Sequence, residues 1–176
     1  AHLDLGNFEL DALGVRWVRD LGSDQYNLPN YWDKGKGGAR WGYWRLGAHS
    51  HNVITIAGVN QDEMATSTMV RFSSSQEEAV AVVDLTEAYA GSATKVGRGI
   101  KLIDNRRAVL VQDEITVQVE LKPDREEVWP RLSAQLGKDL ADAHEGLRFN
   151  VEQAKSGELP RFELKAKRLQ DRRPKY

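Results

Sequence analysis

Three side chains in the first third of the sequence have the types and positions of a metal site. His2 stands at the head of the first patterned segment with Asp4 close behind. Asp20 sits in Arg19-Asp20-Leu21-Gly22, and His51 lies where a long loop enters the apolar stretch Asn52-Val53-Ile54-Thr55-Ile56-Ala57. The elements around them decide whether they can meet. Phe8, Leu10 and Ala12 alternate with Glu9 and Asp11, Leu13-Gly14 reads as a turn, and Val15 to Leu21 continues as a second run containing Trp17. This is the pattern of a hairpin with one face buried. Pairing about Leu13-Gly14 would bring residues 2–4 and 20–22 to one end, and a strand entering there would deliver His51. Two imidazoles and one carboxylate with a fourth position open form a common zinc set. The spacing alone is a weak signal, because strands often begin and end on polar residues, and a lone histidine is more often structural. His49 and His144 complete the histidines.

The loop between Asp20 and His51 supplies the other chemistry. Residues 22–50 contain Gly22, Pro29, Gly35, Gly37 and Gly38, together with Tyr26, Tyr31, Trp32, Trp41, Tyr43 and Trp44. Loops of this length are functional or disordered, and so many large aromatics argue against disorder. Tyr26 and Trp32 are candidates to stack on sugar rings, against the blander reading that they cap the core. Arg40 and Arg45, with Lys34 and Lys36, are candidates to meet carboxylates or sulfates, against a solvated charged loop.

Composition narrows the classes. The 176 residues suffice for one domain with a core, and 40% hydrophobic with 29% charged residues reads as globular. A net charge of −1 gives no global basic field, so no nucleic-acid partner is expected. The absence of cysteine removes disulfides, thiolate metal sites and cysteine nucleophiles. No apolar run is long enough to span a bilayer and no signal peptide opens the sequence, so no membrane partner is expected and the chain reads as a mature product or cut fragment.

Strands are expected at 52–57, 68–72 and 79–85, then a hairpin 100–103/108–111 about Asp104-Asn105, then 117–121. Their number and spacing indicate a mainly β fold, a sandwich-like stack of antiparallel sheets. After Trp129-Pro130 the pattern changes. Leu132, Leu136 and Leu140 form a stripe that predicts a minor helix near 131–143, although Gly137 interrupts it. Leu147, Phe149 and Val151 alternate as a strand, and Phe162, Leu164 and Ala166 do the same. The last sixteen residues carry seven basic and two acidic side chains. They read as a solvated end, with a patch for an anionic polymer as the minority reading. The division is 1–129 as a β domain and 130–176 as a divergent extension packed on it.

The strings HLDLGNFELDALGVRWVRDLG, HSHNVITIAGVNQ, VVDLTEAY and RGIKLIDNRRAVLVQDE, with Tyr26 and Tyr31 between the first two, resemble the heparinase II/III-like family over about residues 2–129. That family consists of bacterial lyases of uronate-containing polysaccharides such as heparan sulfate and alginate, with an N-terminal α/α toroid and a C-terminal region of stacked antiparallel sheets. The resemblance implies that this chain is the β part. The family pattern H-x-D-x-G-x-F falls on His2, Asp4, Gly6 and Phe8, W-x-x-D-L-G on Trp17, Asp20, Leu21 and Gly22, and HN on His51 and Asn52. It implies zinc on His2, Asp20 and His51, and a tyrosine near the site, with Tyr31 the better match and Tyr43 and Tyr26 behind it. It further implies an acidic polysaccharide as partner, the toroid as a missing second half, and a periplasmic or secreted location. Some members carry a further histidine two residues before the one matching His2, and the sequence here starts at Ala1. The stretch after Trp129 fits the family poorly.

Two functions follow as expectations. The first is the C-terminal domain of a polysaccharide lyase, inactive or weakly active without its toroid. The second is a non-catalytic carbohydrate-binding or structural β-module in which the cluster packs without metal.

Overall fold

The computed structural model describes residues 2–56, 58–143 and 147–159. Within them the protein is mainly β, as expected, and divides into two sheets. The first is the hairpin of β1 (Leu10–Ala12) and β2 (Val15–Val18). Ala12 faces Val15 across a two-residue loop in which Leu13 and Gly14 both have positive φ, 54° and 76°. That backbone suits the right-handed twist of paired strands. The expectation that one face of this hairpin is buried is overturned. Leu13 is 96% exposed, and Val15 and Trp17 are also exposed. Alternation records that a face is apolar, not that this chain contains a surface to cover it.

The second sheet has five strands in the order β3 (Thr68–Ser74), β4 (Ala79–Asp84), β5 (Lys95–Ile103), β6 (Ala108–Glu120) and β7 (Leu147–Ala154). Strands β3 to β6 run antiparallel. The expected strands at 108–111 and 117–121 are one continuous strand, β6. The pair β6–β7 is parallel, a departure from the all-antiparallel expectation. The cause is the intervening helix α1 (Trp129–Ala143), which carries the chain back across the sheet before β7 begins, as parallel neighbours require. The helix stripe was legible, and α1 packs against β7. On the outer side of α1 Lys138 pairs with Asp142 at 2.7 Å and Gln135 donates to Asp139 at 2.6 Å, both one turn apart.

The core lies on one face of the large sheet. Val96 of β5 and Ile115 of β6 are register partners and both are buried. Val83, Val117, Leu147 and Phe149 extend that face, and Ile54, Leu85, Ala88, Tyr89 and Ala93 pack on it with Leu5, Ile56 and Ala65. The layer over the sheet is therefore built from loops and the short 3-10 turn Thr86–Tyr89. A second cluster of Leu3, Trp41 and Ala48, with Val53 against it, underlies the aromatic loop.

The expected strand at 52–57 is absent from both sheets. Over its described part, 52–56, the backbone takes no ladder position. Side chains satisfy its polar groups instead. The Asn52 N–H donates to Asn7 Oδ1 at 2.9 Å, the Asn52 carbonyl accepts from Arg98 Nη1 at 2.5 Å, and the Ile54 carbonyl accepts from the Tyr89 hydroxyl at 2.5 Å. Burial alone was therefore enough to account for the apolar run. The expected strand around Phe162 and the basic tail lie outside the described residues, as does His144.

Candidate metal centre

His2, Asp4 and His51 come together. One ligand atom from each lies within 4.8 Å of the others. The two imidazoles stack with ring centroids 5.2 Å apart. The His51 side chain is fully buried. Its Nδ1 meets Asp20 Oδ2, while its Nε2 is buried with no hydrogen-bond partner among the described residues. A buried polar atom lacking a partner is costly, and groups of this kind call for an explanation. Burial holds the His2 imidazole below its ordinary pKa, the Asp4 carboxylate opposing. The neutral form so favoured is the form that ligates metals. Two imidazoles, adjacent carboxylates and an orphaned ring nitrogen fit a divalent cation with zinc's preferences.

Asp20 lies at the same site in a different relation. Its Oδ2 also accepts from Asn7 Nδ2 at 3.0 Å, and its Oδ1 accepts the Gly22 N–H at 2.7 Å. Burial pushes this carboxyl up, but the hydrogen bonds from His51, Gly22 and Asn7 outweigh it and hold it below the usual carboxylate value. Asp20 is thus a fixed anion against His51.

The supports of this cluster are polar. Asn7 links the Asp20 carboxylate to the Asn52 N–H, and Asn52 Nδ2 donates to the carbonyls of Phe8 and Arg19 at 3.1 and 3.0 Å. The hairpin ends and the entry to 52–56 are therefore tied by two amide side chains. Gln61, 1% exposed, takes both backbone groups of Leu5 and donates to the Tyr89 hydroxyl. The Leu3 N–H donates to the Leu46 carbonyl at 2.9 Å, placing His2 beside the aromatic loop. Gly6 has φ +80°, and a Cβ there would come within 2.7 Å of Leu85 Cδ1, so the loop carrying His2 and Asp4 requires glycine at that point. Asn7, Gln61 and Arg98 were missed by the sequence reading. Their only sequence signal is polarity inside apolar segments, which does not name a partner.

The loop residues separate into two groups. Tyr31 is 1% exposed, with the Arg40 guanidinium 4.4 Å from its ring centroid. Arg40 is 2% exposed and its Nη1 donates to the Tyr31 carbonyl at 2.7 Å, so this cation is set within the loop. Tyr43 donates its hydroxyl to the Pro29 carbonyl at 2.6 Å. Arg45 is exposed and its Nη1 reaches the carbonyls of Leu21 and Ser23. Tyr26 and Trp32 are exposed and cluster with Tyr31, edge-on between Tyr31 and Trp32 and tilted at Tyr26, and Lys34 lies 5.2 Å over the Trp32 ring.

The model of the heparinase II/III-like C-terminal domain matches residues 1–164. The chain belongs to that family. No curated protein matches it. The match runs past Trp129, through α1 and β7, so the stretch that fitted the resemblance poorly falls within the family's span. Membership is consistent with a domain of a polysaccharide lyase. Among the described residues no helix is long and apolar enough to cross a membrane.

Proposed function

We propose that this heparinase II/III-like domain forms one wall of the active site of a lyase that cleaves uronate-containing polysaccharides by β-elimination. The observation that carries the proposal is the gathering of His2, His51 and two carboxylates beside an aromatic loop, in a chain of this family. In that reaction a base takes the C5 proton, the C–H electrons form the C4–C5 double bond, and the C4–O bond breaks with a proton delivered to the leaving oxygen. A cation at the cluster supplies positive charge to the uronate carboxylate next to C5. Of the phenols considered as the acid, Tyr43 has its proton engaged by the Pro29 carbonyl, so Tyr31, buried within the loop, is the first to test. Exposed Tyr26 and Trp32 offer ring faces to sugars, and Arg45 offers charge to acidic substituents. An α/α toroid supplies the remaining catalytic groups, so this chain alone turns over little substrate. A periplasmic or secreted location belongs to the same proposal.

Zinc is the proposed ion, with His2 and His51 as imidazole ligands. The family resemblance makes Asp20 the carboxylate ligand. A second reading rests on the grouping of His2, Asp4 and His51: Asp4 ligates, and Asp20 holds the His51 ring from behind through Nδ1, leaving Nε2 to the ion. Metal analysis of the purified chain and its Asp4→Asn and Asp20→Asn variants separates the two. Loss in Asp20→Asn with retention in Asp4→Asn supports the first, and the reverse supports the second. Activity is read as absorbance of unsaturated product from heparan sulfate and alginate. Efficient turnover by this chain alone refutes the incomplete-site reading, and no metal in any form refutes the zinc site.

A further inference from the structure

We infer that Trp44 and His49 form a second sugar-stacking platform beside the His2–His51 cluster, taking the apolar face of a pyranose ring of an acidic oligosaccharide. The inference rests on the proposed lyase function for the class of its ligand, and on separate residues for its site.

Trp44 is 62% exposed and His49 is exposed. Their rings are nearly parallel, 18° apart in plane, with centroids separated by 6.4 Å. His49 stacks to one side of the Trp44 ring, and Trp44 keeps most of its surface open to solvent. An exposed tryptophan gains nothing from core burial, and its large rigid face is suited to ring C–H groups. The backbone beneath is fixed. Leu46 and Ala48, between the two rings, are buried. The Leu46 and Gly47 N–H groups both donate to the Tyr43 carbonyl at 3.0 Å, and the Ala48 N–H donates to Asn60 Oδ1 at 2.9 Å. A Cβ at Gly47 would come within 3.1 Å of Asn60 Oδ1 and 3.2 Å of the Trp41 carbonyl, so the segment lies tight against its neighbours. Two exposed aromatic rings on a pinned backbone are preorganised, which lowers the ordering cost of binding.

The location ties this surface to the cluster. Leu46 accepts the Leu3 N–H, next to His2, and the His51 N–H donates to the Ala48 carbonyl at 3.2 Å. His49 is thus two residues from His51, and Trp44 stands two residues before Leu46, whose carbonyl holds the residue after His2. Arg45, exposed between Trp44 and Leu46 in sequence, adds a cation suited to carboxylate or sulfate substituents. A ring seated on Trp44 would be a neighbour of the sugar at the cluster, and would set the polymer's direction across it.

The test is titration calorimetry of the full chain with size-defined heparan sulfate and alginate hexasaccharides. The proteins are the wild type, Trp44→Ala, Trp44→Phe, His49→Ala and Trp17→Ala, the last removing an exposed tryptophan from the hairpin. The expected result is a loss of about tenfold or more in affinity for Trp44→Ala, with Trp44→Phe within about threefold of wild type and Trp17→Ala unchanged. His49→Ala weakens binding to a smaller degree. Thermal unfolding of Trp44→Ala matches wild type, because the side chain is exposed. Wild-type affinity in Trp44→Ala overturns the platform and leaves the proposed function standing. Failure of the wild type to bind either hexasaccharide overturns both.

Discussion

Arg98 of β5 and Asp113 of β6 are register partners that form a bidentate ion pair on the core face of the sheet, Nε to Oδ1 at 2.7 Å and Nη2 to Oδ2 at 2.8 Å. The remaining terminal nitrogen of Arg98 donates to the carbonyls of Gly6 and Asn52 at 2.8 and 2.5 Å. One guanidinium thus binds the sheet to the loop carrying His2 and Asp4 and to the residue following His51. Both side chains are nearly buried, so the pair is supported by its geometry and by the satisfaction of its donors.

Removing one partner of that pair leaves the other charged and buried. Asp113→Asn is expected to lower stability by about 3–5 kcal/mol, measured by urea unfolding. Arg98→Met does the same and also releases Gly6 and Asn52. It therefore lowers metal affinity beyond the loss seen in Asp113→Asn, read by competition with a chromogenic chelator under conditions where both variants are folded.

His51→Ala is expected to abolish metal binding while keeping the fold. The measurement is bound metal by elemental analysis alongside circular dichroism. Equal and near-zero metal in wild type and variant would sink the centre. Asn7→Ala tests the support: it removes a bond to Asp20 and one to the Asn52 N–H, and is expected to weaken metal binding by about 10–100-fold.

Gln61→Leu keeps approximate volume but leaves the Leu5 N–H and C=O without their partner. The expected cost is about 2–3 kcal/mol in chemical denaturation, with Tyr89 losing a hydrogen bond and keeping the one it donates to Ile54.

Gly6→Ala places a methyl group against Leu85 at a backbone φ of +80°. A loss of about 1–3 kcal/mol is expected. Truncating the opposing side chain as well, in Gly6→Ala with Leu85→Ala, relieves the contact but not the dihedral strain, so the double variant is expected to be less stable than Leu85→Ala alone.

Acid stability follows from hydrogen-bonded carboxylates. Thr66 holds the Glu87 carboxyl below its ordinary pKa through its hydroxyl and its N–H, and Thr86 does so for Asp84 in the same two ways. Their folded pKa values lie below the unfolded ones. Their contribution is therefore full above the ordinary carboxylate pKa, roughly 4, and is lost as pH falls through the folded values. Melting temperature is expected to decline below about pH 4, and Thr66→Val is expected to shrink that decline.

Local sequence determined the elements whose signals are local. The Leu13-Gly14 turn, the strands from Thr68 to Glu120, the helix stripe at Leu132, Leu136 and Leu140, and the strand at Leu147 are all present, because periodicity and turn chemistry act within a few residues. Residue type also named His2 and His51 and the aromatic loop. Tertiary structure decided the rest. The apolar run after Asn52 lies outside the ladders because Asn7, Arg98 and Tyr89, distant in sequence, satisfy its backbone. The hairpin face is exposed because no part of the described chain covers it. Asp20 meets His51 through Nδ1, and Asp4 joins the imidazoles, by a packing of loops that no spacing encodes. The orientation of a buried polar side chain depends on the partners folding brings to it, and those partners come from segments as far as 92 residues apart, as Arg98 and Gly6 are.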